Sequence, residues 1–357
     1  MTRETAADFG VYVHIPFCAK RCDYCAFATW TDRHHLTEPY VGAVRTEIAR
    51  AVAGGMPPAT SVFFGGGTPS LLPARDLMSI LAAVPLAEGA EVTVECNPDT
   101  VTAELLAGYL EGGVNRLSFG VQSMVPSVLT ALGRTHDPDN VRRSVELARL
   151  AGFTTFNLDL IYGGAGESVA EWGQTVRAVL ELDPPHVSAY GLTVEPGTPL
   201  AADADRHPDD DDQADKYELA DELLAAAGRL NYEISNWARP GHECRHNLLY
   251  WHQGDYLGFG CAAHSHRDGR RFWNVRTPDR FIELIEAGES AEGAAEVLDP
   301  EERRIEGLQL RLRTRDGVPA SALDTEALPG LVDVVGDRVV LTRSGRLMAN
   351  EVSIRLK

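Results

Sequence analysis

Residues 11–27 read Val-Tyr-Val-His14-Ile-Pro-Phe-Cys18-Ala-Lys-Arg-Cys22-Asp-Tyr-Cys25-Ala-Phe27. A β-rich run, Val11–Ile15, leads straight into three cysteines spaced four and three residues apart. Thiolates are the usual ligands of iron–sulfur clusters, and this spacing lets one loop wrap the corner of a 4Fe–4S cubane. With three protein thiolates, one iron stays open to chelate a further ligand. The competing reading is a Cys3His zinc site completed by His14, His34 or His35. Inert burial is weaker, because three clustered thiols rarely serve as core.

The alternation that begins at this strand continues for 200 residues. Further strands are predicted at Ser61–Phe64, Glu91–Glu95, Arg116–Gly120, Thr155–Leu160 and His186–Tyr190. Each is short, apolar and closed by Gly, Pro, Asn or a polar residue. Between them lie the helical stretches Tyr40–Val52, Pro73–Ala83, Ala103–Glu111, Asn140–Leu150 and Ala170–Leu182. Such alternation predicts a parallel sheet with functional residues at the C-terminal strand ends. Six units are too few to close an eight-fold barrel, so the expected fold is α/β, a (β/α)6 partial TIM-like barrel with a smaller C-terminal domain.

Three segments follow from the pattern: the barrel over 1–200, a linker and aromatic-rich region over 201–296, and a helix-plus-wing domain over 297–357. Asp203 to Asp215 is dominated by acidic residues and reads as a solvated loop. A helix is expected at Ala214–Leu230, then a region rich in Gly, His, Asn, Tyr and Trp from Tyr232 to Trp273. The last part reads as a helix, Pro300–Leu312, and a hairpin turning at Gly336-Asp337.

The 357 residues carry a net charge of −19, with no basic face. Phosphate contacts dominate nucleic-acid affinity, so DNA and RNA are disfavoured as partners, and an RNA-modifying role with them. Six cysteines in a chain of this length do not make a secreted disulfide scaffold. Met1 to Gly10 has no apolar signal-peptide core, and no stretch reaches the ~20 apolar residues of a membrane span. A reducing, cytoplasmic location is expected, with peripheral membrane contact and homodimerisation left open.

The cysteine spacing after a first strand resembles the radical S-adenosylmethionine superfamily, whose known fold is the partial barrel expected above. The resemblance implies that the open iron holds the amino and carboxylate groups of S-adenosylmethionine and that the reduced cluster cleaves its sulfonium. Phe64-Gly65-Gly66-Gly67-Thr68-Pro69-Ser70 resembles the segment that binds the cofactor's amino group. By the same resemblance, Tyr12, Phe27, Gly66, Gly67, Thr68, Glu95, Gln122, Arg134 and Asp159 contact the cofactor. Taken singly, each could instead be a turn, a cap or a salt-bridge partner.

The likeness runs almost end to end. Tyr-Val-His-Ile-Pro-Phe-Cys, Asn-Arg-Leu-Ser-Phe-Gly-Val-Gln-Ser and Thr-Val-Glu-Pro-Gly-Thr-Pro-Leu are similar to the coproporphyrinogen III oxidase-like family. Within it, oxidases typically carry a fourth cysteine where this chain has Phe27, and a longer segment before the first strand. The HemW-type heme chaperones carry His-Asn-x-x-Tyr-Trp, here His246-Asn247-Leu-Leu-Tyr250-Trp251. That likeness implies heme or porphyrin binding and delivery to heme-accepting client proteins, with an electron donor for the cluster. The alternative is oxygen-independent coproporphyrinogen III oxidation, with a radical methyltransferase less favoured. Histidine and tyrosine can both ligate heme iron, and Cys244, His242 and His252 are further candidates. From the residues alone, a buried histidine with aromatics packed beneath a loop is the blander reading. No residue is assigned a catalytic role. Ala262 stands where the family has glycine, which matters if that position needs positive φ.

Overall fold

The computed structural model describes residues 8–134 and 136–357. Its first half is the expected alternation: β1 (Phe9–Ile15), α1 (Thr37–Ala53), β2 (Ala59–Gly66), α2 (Ala74–Leu81), β3 (Leu86–Cys96), α3 (Ala103–Glu111), β4 (Arg116–Gln122), α4 (Pro126–Ala131), α5 (Pro138–Ala151), β5 (Phe156–Tyr162), α6 (Val169–Glu181) and β6 (His186–Gly191). β1 to β6 pair in sequence order and all in parallel. Every described position of β1 but Tyr12 is buried, as expected of a strand covered on both faces. Val11, Val13, Val62, Val94, Leu117, Leu158 and Val187 belong to the main core, each at most 1% exposed. The fold is thus α/β, built on a large parallel sheet of the partial-barrel kind.

The chain continues through α7 (Asp210–Ala226), β7 (Leu230–Glu233), β8 (Asn236–Ala238), α8 (Arg245–Trp251), β9 (Asp255–Phe259), β10 (His264–Arg267), β11 (Arg270–Asn274), α9 (Pro278–Glu286) and β12 (Glu292–Val297). These strands extend the same sheet at both edges, in the order β12-β11-β10-β9-β1-β2-β3-β4-β5-β6-β8-β7. β9 lies parallel to β1, so a late segment flanks the first strand. Residues 201–296, read above as a linker and motif region, therefore carry six strands of the sheet. The remainder, α10 (Pro300–Leu312), β13 (Val318–Pro319), β14 (Val332–Val335), β15 (Arg338–Leu341), α11 (Arg343–Leu347) and α12 (Ala349–Ser353), surrounds a second, smaller core of Leu312, Val318, Leu323, Val339 and Val352. No described helix is long and apolar enough to cross a membrane.

The acidic run departs from expectation, because α7 begins inside it. Asp209 caps the helix by accepting from the Asp212 N–H, and Asp210, Asp211 and Asp212 occupy the first turn. Negative charge there opposes the positive end of the helix dipole, so the aspartates favour a helix start. The helix also ends earlier than expected, and Leu230 opens β7.

One turn further on, the fully buried Lys216 donates to the Glu167 carbonyl at 2.6 Å and the Asp212 carboxylate at 2.5 Å, with Glu167 Oε2 at 3.5 Å. This cation ties α7 to the loop preceding α6. Removing one partner of a buried pair leaves the other charge without compensation. Lys216→Met is expected to cost about 3–5 kcal/mol of stability, read as a fall in the denaturant midpoint. An unchanged midpoint would mean that Glu167 is not held by this lysine.

Candidate functional site

β1 ends at Ile15, and the chain turns across the C-terminal edge of the sheet. Trp30 N–H donates to Pro16 O at 2.8 Å and Cys18 N–H to Trp30 O at 3.0 Å, closing the cysteine loop at its base. The end of β2 grips the same loop: Gly67 N–H donates to Ile15 O at 2.7 Å and Thr68 N–H to Phe17 O at 2.8 Å. Thr68 Oγ1 lies 3.6 Å from Cys18 Sγ, and Arg134 Nη1 lies 3.5 Å from Cys22 Sγ. On its far side, the loop is held by Leu200 N–H donating to Asp23 O at 3.0 Å and by Arg206 pairing with the Asp23 carboxylate at 2.9 Å.

Glycine is required at two points here. A Cβ on Gly67 would meet Phe17 O at 2.7 Å, Ile15 O at 2.8 Å and Cys18 Sγ at 3.1 Å. Gly66 has φ +108°, and a Cβ there would strike the His14 ring at 2.4 Å. Gln122 also has positive φ, 64°, at a register shift between β4 and β5. A non-glycine residue held in the left-handed region marks local strain of the kind found at functional sites.

A cavity of about 670 Å³ opens beneath this loop. Cys18, Cys22 and Cys25 line it together with Gly67, Thr68, Gln122 and Arg134. A second cavity of about 740 Å³ adjoins it and includes Tyr12. Phe27, Gly66, Glu95 and Asp159 line both, so all nine cofactor candidates face one or both chambers. Each chamber is within the ~300–1,000 Å³ typical of small-molecule sites.

The chamber walls hold two neighbouring carboxyls, with the Arg116 cation near Asp159. Burial, followed by the charge of the nearby Asp159, pushes the Glu95 carboxyl up to about 8. Burial likewise raises Asp159, against hydrogen bonds from Ser118, Ser188 and Asn157 and the positive charge of Arg116. Two half-buried carboxylates sharing a wall favour a cationic ligand. On the cysteine side, Arg134 Nε and both ring nitrogens of the buried His136 have no hydrogen-bond partner among the described residues, which suits an anionic group. A ligand with an ammonium or sulfonium at one place and a carboxylate at another matches both features. Sequence reasoning missed the polar layer below: Asn157 Nδ2 lies 2.7 Å from Asp159 and 2.9 Å from Ser118, and Asn157 Oδ1 lies 2.5 Å from His186 Nδ1. Alternate polar positions on apolar strands were the available signal.

The zinc alternative finds poor support. His14 has both nitrogens engaged, with Tyr12 at 3.0 Å and Ala28 O at 2.8 Å, and His34 Nε2 bonds Cys18 O at 3.1 Å. Among the described residues, no three His, Cys, Asp or Glu side chains are grouped to hold a single metal ion.

The His-Asn-x-x-Tyr-Trp segment forms α8, whose first N–H groups are capped by Glu91: Arg245 N at 3.2 Å and His246 N at 3.1 Å. His246, Asn247 and Tyr250 line the larger chamber, whereas Trp251 does not. His246 is fully buried, with Ser61 Oγ 2.8 Å from Nδ1 and Tyr250 Oη 2.7 Å from Nε2, and its ring stacks on Phe63. Burial lowers its pKa to about 3, so it is neutral. Of the other candidates, Cys244 lines the chamber with its thiol pushed up to about 12 by burial. His242 bonds Thr155 at 3.1 Å, and the half-exposed His252 pairs with Asp316 at 3.2 Å. Ala262, on the same wall, has φ +57°.

Two substitutions test this geometry. Gly67→Ala is expected to displace the cysteine loop and lower the iron and sulfide taken up on anaerobic reconstitution several-fold; full uptake would refute the close approach. Ala262→Gly is expected to raise the denaturant midpoint by the equivalent of about 0.5–1 kcal/mol, because relief of left-handed strain outweighs the added chain entropy. A lower midpoint would count against strain at this position.

Comparison with known proteins agrees with the geometry. The family model for the radical SAM superfamily matches residues 12–179. The heme chaperone HemW of Mycobacterium tuberculosis (strain H37Rv) is 41% identical over 96% of this chain and 93% of its own length. The Escherichia coli K12 heme chaperone HemW is 40% identical over 76% of this chain and 75% of its own. That of Bacillus subtilis is 35% identical over 96% and 97%. Among solved structures, coproporphyrinogen III oxidase (HemN) from Escherichia coli superposes with a TM-score of 0.85, covering 98% of this chain and 89% of that one at 23% identity. At that identity the match speaks for the fold.

Proposed function

Because the chain belongs to the HemW family of the radical SAM superfamily, we propose that it is a heme chaperone that holds heme beside a 4Fe–4S cluster and S-adenosylmethionine and passes heme to client proteins, respiratory ones among them. The observation that carries this reading is the pair of adjoining chambers with a common wall, one edged by the cysteines and the other by the His246 helix. Cys18, Cys22 and Cys25 would ligate the cluster. Glu95 and Asp159 would face the cationic part of S-adenosylmethionine, and Arg134 its carboxylate. When bound, the cluster supplies one-electron chemistry toward the sulfonium. Gly66, Gly67 and Thr68 would offer backbone and hydroxyl groups to the amino group, while Tyr12, Phe27 and Gln122 complete the enclosure. In the larger chamber, Tyr250, Tyr256 and Trp273 offer flat apolar surface to a porphyrin, and His246 braces the wall that carries Tyr250. We place this work in the cytoplasm, with an electron donor serving the cluster.

Coproporphyrinogen III decarboxylation is the reading to eliminate. Phe27, 66% exposed, stands at the junction of the chambers where oxidases typically have a cysteine. After anaerobic reconstitution, wild-type protein is expected to bind ferric heme saturably and to leave coproporphyrinogen III unconverted under conditions where a genuine oxidase turns over. Cys18→Ser, Cys22→Ser and Cys25→Ser should each lose the cluster's visible absorbance. His246→Ala should weaken heme binding. Absence of saturable heme binding, or turnover of the porphyrinogen, would sink the chaperone reading.

A further inference from the structure

Four histidines line the larger chamber: His14, His186, His246 and His264. Three are fully committed. His14 accepts from Tyr12 through Nδ1 and donates to Ala28 O through Nε2. His186 has Nδ1 at 2.5 Å from Asn157 Oδ1 and Nε2 at 2.8 Å from Tyr232 Oη. His246 is held by Ser61 and Tyr250. His264 differs: among the described residues neither of its ring nitrogens has a hydrogen-bond partner, and the residue is exposed to the chamber.

Its ring is nevertheless oriented. His264 opens β10 directly opposite Trp273 of β11, and the two rings stack with centroids 5.3 Å apart at 22°. This strand pair fixes the imidazole plane while leaving both nitrogens available. Arg276, just beyond β11, lines the same chamber and has no ion-pair partner among the described residues. A free imidazole, an aromatic support and an uncommitted guanidinium on one wall match the three parts of heme: iron, macrocycle and propionate. Arginine suits a propionate because it presents paired donors to a carboxylate.

We propose that His264 is the protein ligand of heme iron in the larger chamber, with Arg276 pairing a propionate. The inference rests on the heme reading above and adds to it the ligating residue. His246 then acts as a positioning residue, because binding iron through Nε2 would break its bond to Tyr250. Burial, followed by the positive charge of Arg271, lowers the pKa of His264 and keeps it in the neutral form that binds metals.

The test uses full-length protein and ferric heme, read by titration and by the absorption and electron paramagnetic resonance spectra of the bound iron. Wild type is expected to show an imidazole-ligated iron. His264→Ala and His264→Gln should lose that signature and about tenfold or more in affinity, and added imidazole should restore the signature in His264→Ala. Arg276→Glu should lower affinity while leaving the ligation spectrum intact. If wild type binds heme and both His264 variants keep the wild-type spectrum, the assignment is overturned. It is equally overturned if imidazole cannot restore ligation in His264→Ala while thermal melting shows the variant folded. If wild type binds no heme, the chaperone reading itself has failed, and this assignment with it.

Discussion

The whole site depends on how closely the backbone of Gly66 and Gly67 approaches the cysteine loop. The parallel ladder between β1 and β2 does not stop at the end of the sheet. It continues as Gly67 N–H to Ile15 O and Thr68 N–H to Phe17 O, into the segment that carries Cys18. That continuation needs a residue without a side chain, since a Cβ on Gly67 would lie within 3 Å of two carbonyl oxygens. The loop thereby takes its position from the rigid sheet, while Asp23 anchors its far side to Leu200 and Arg206. Three thiols on an otherwise irregular loop gain a fixed place, and the cavity below them gains a fixed roof.

Much of this was legible because it is local. The cysteine spacing, the glycine triplet and the six parallel strands are each written within a dozen residues, and the structure differs at those strands only in their ends. What was not legible depends on contacts distant in sequence. β9 lies beside β1 although some 240 residues separate them, and nothing in Asp255–Phe259 announces that neighbour. The acidic run before α7 was misread because charge composition was weighed ahead of position: four aspartates at a helix start are capping and dipole partners, not merely solvated surface. Asn157 and Ser188, which sit under the chambers, look in sequence like ordinary polar interruptions of a strand.

The His-Asn-x-x-Tyr-Trp segment shows how chemistry-bearing residue types can mislead when read without their partners. A histidine four residues before a tyrosine suggests two ligands on one helical face. In the structure those two side chains satisfy each other, and the histidine also bonds Ser61 on β2. Its buried ring makes α8 a wall of the chamber. Gly10 on β1 is small for the same reason: a Cβ there would lie 2.4 Å from Leu249 and 3.2 Å from the His246 ring. The blander reading of a buried histidine with aromatic neighbours thus describes the local packing, while the segment still shapes a binding surface.

The two chambers share a wall that carries two carboxyls whose ionisation the fold opposes. Glu95 accepts a hydrogen bond from Gly66 N–H at 3.2 Å, and Asp159 accepts one from Ser118 at 2.7 Å. Both carboxyls are largely withdrawn from water, both are raised in pKa, and the charge of Asp159 adds to the cost of ionising Glu95. Hydrophobic replacements would relieve that cost, so their presence is an expense of stability that packing alone does not explain. A cation placed against this wall from the cysteine side would draw both groups toward their charged forms. Because the same oxygens border the larger chamber, its electrostatic character depends on what occupies the smaller one. Any ligand held in both chambers is therefore coupled through this pair of carboxylates, without need for movement of the sheet that holds them.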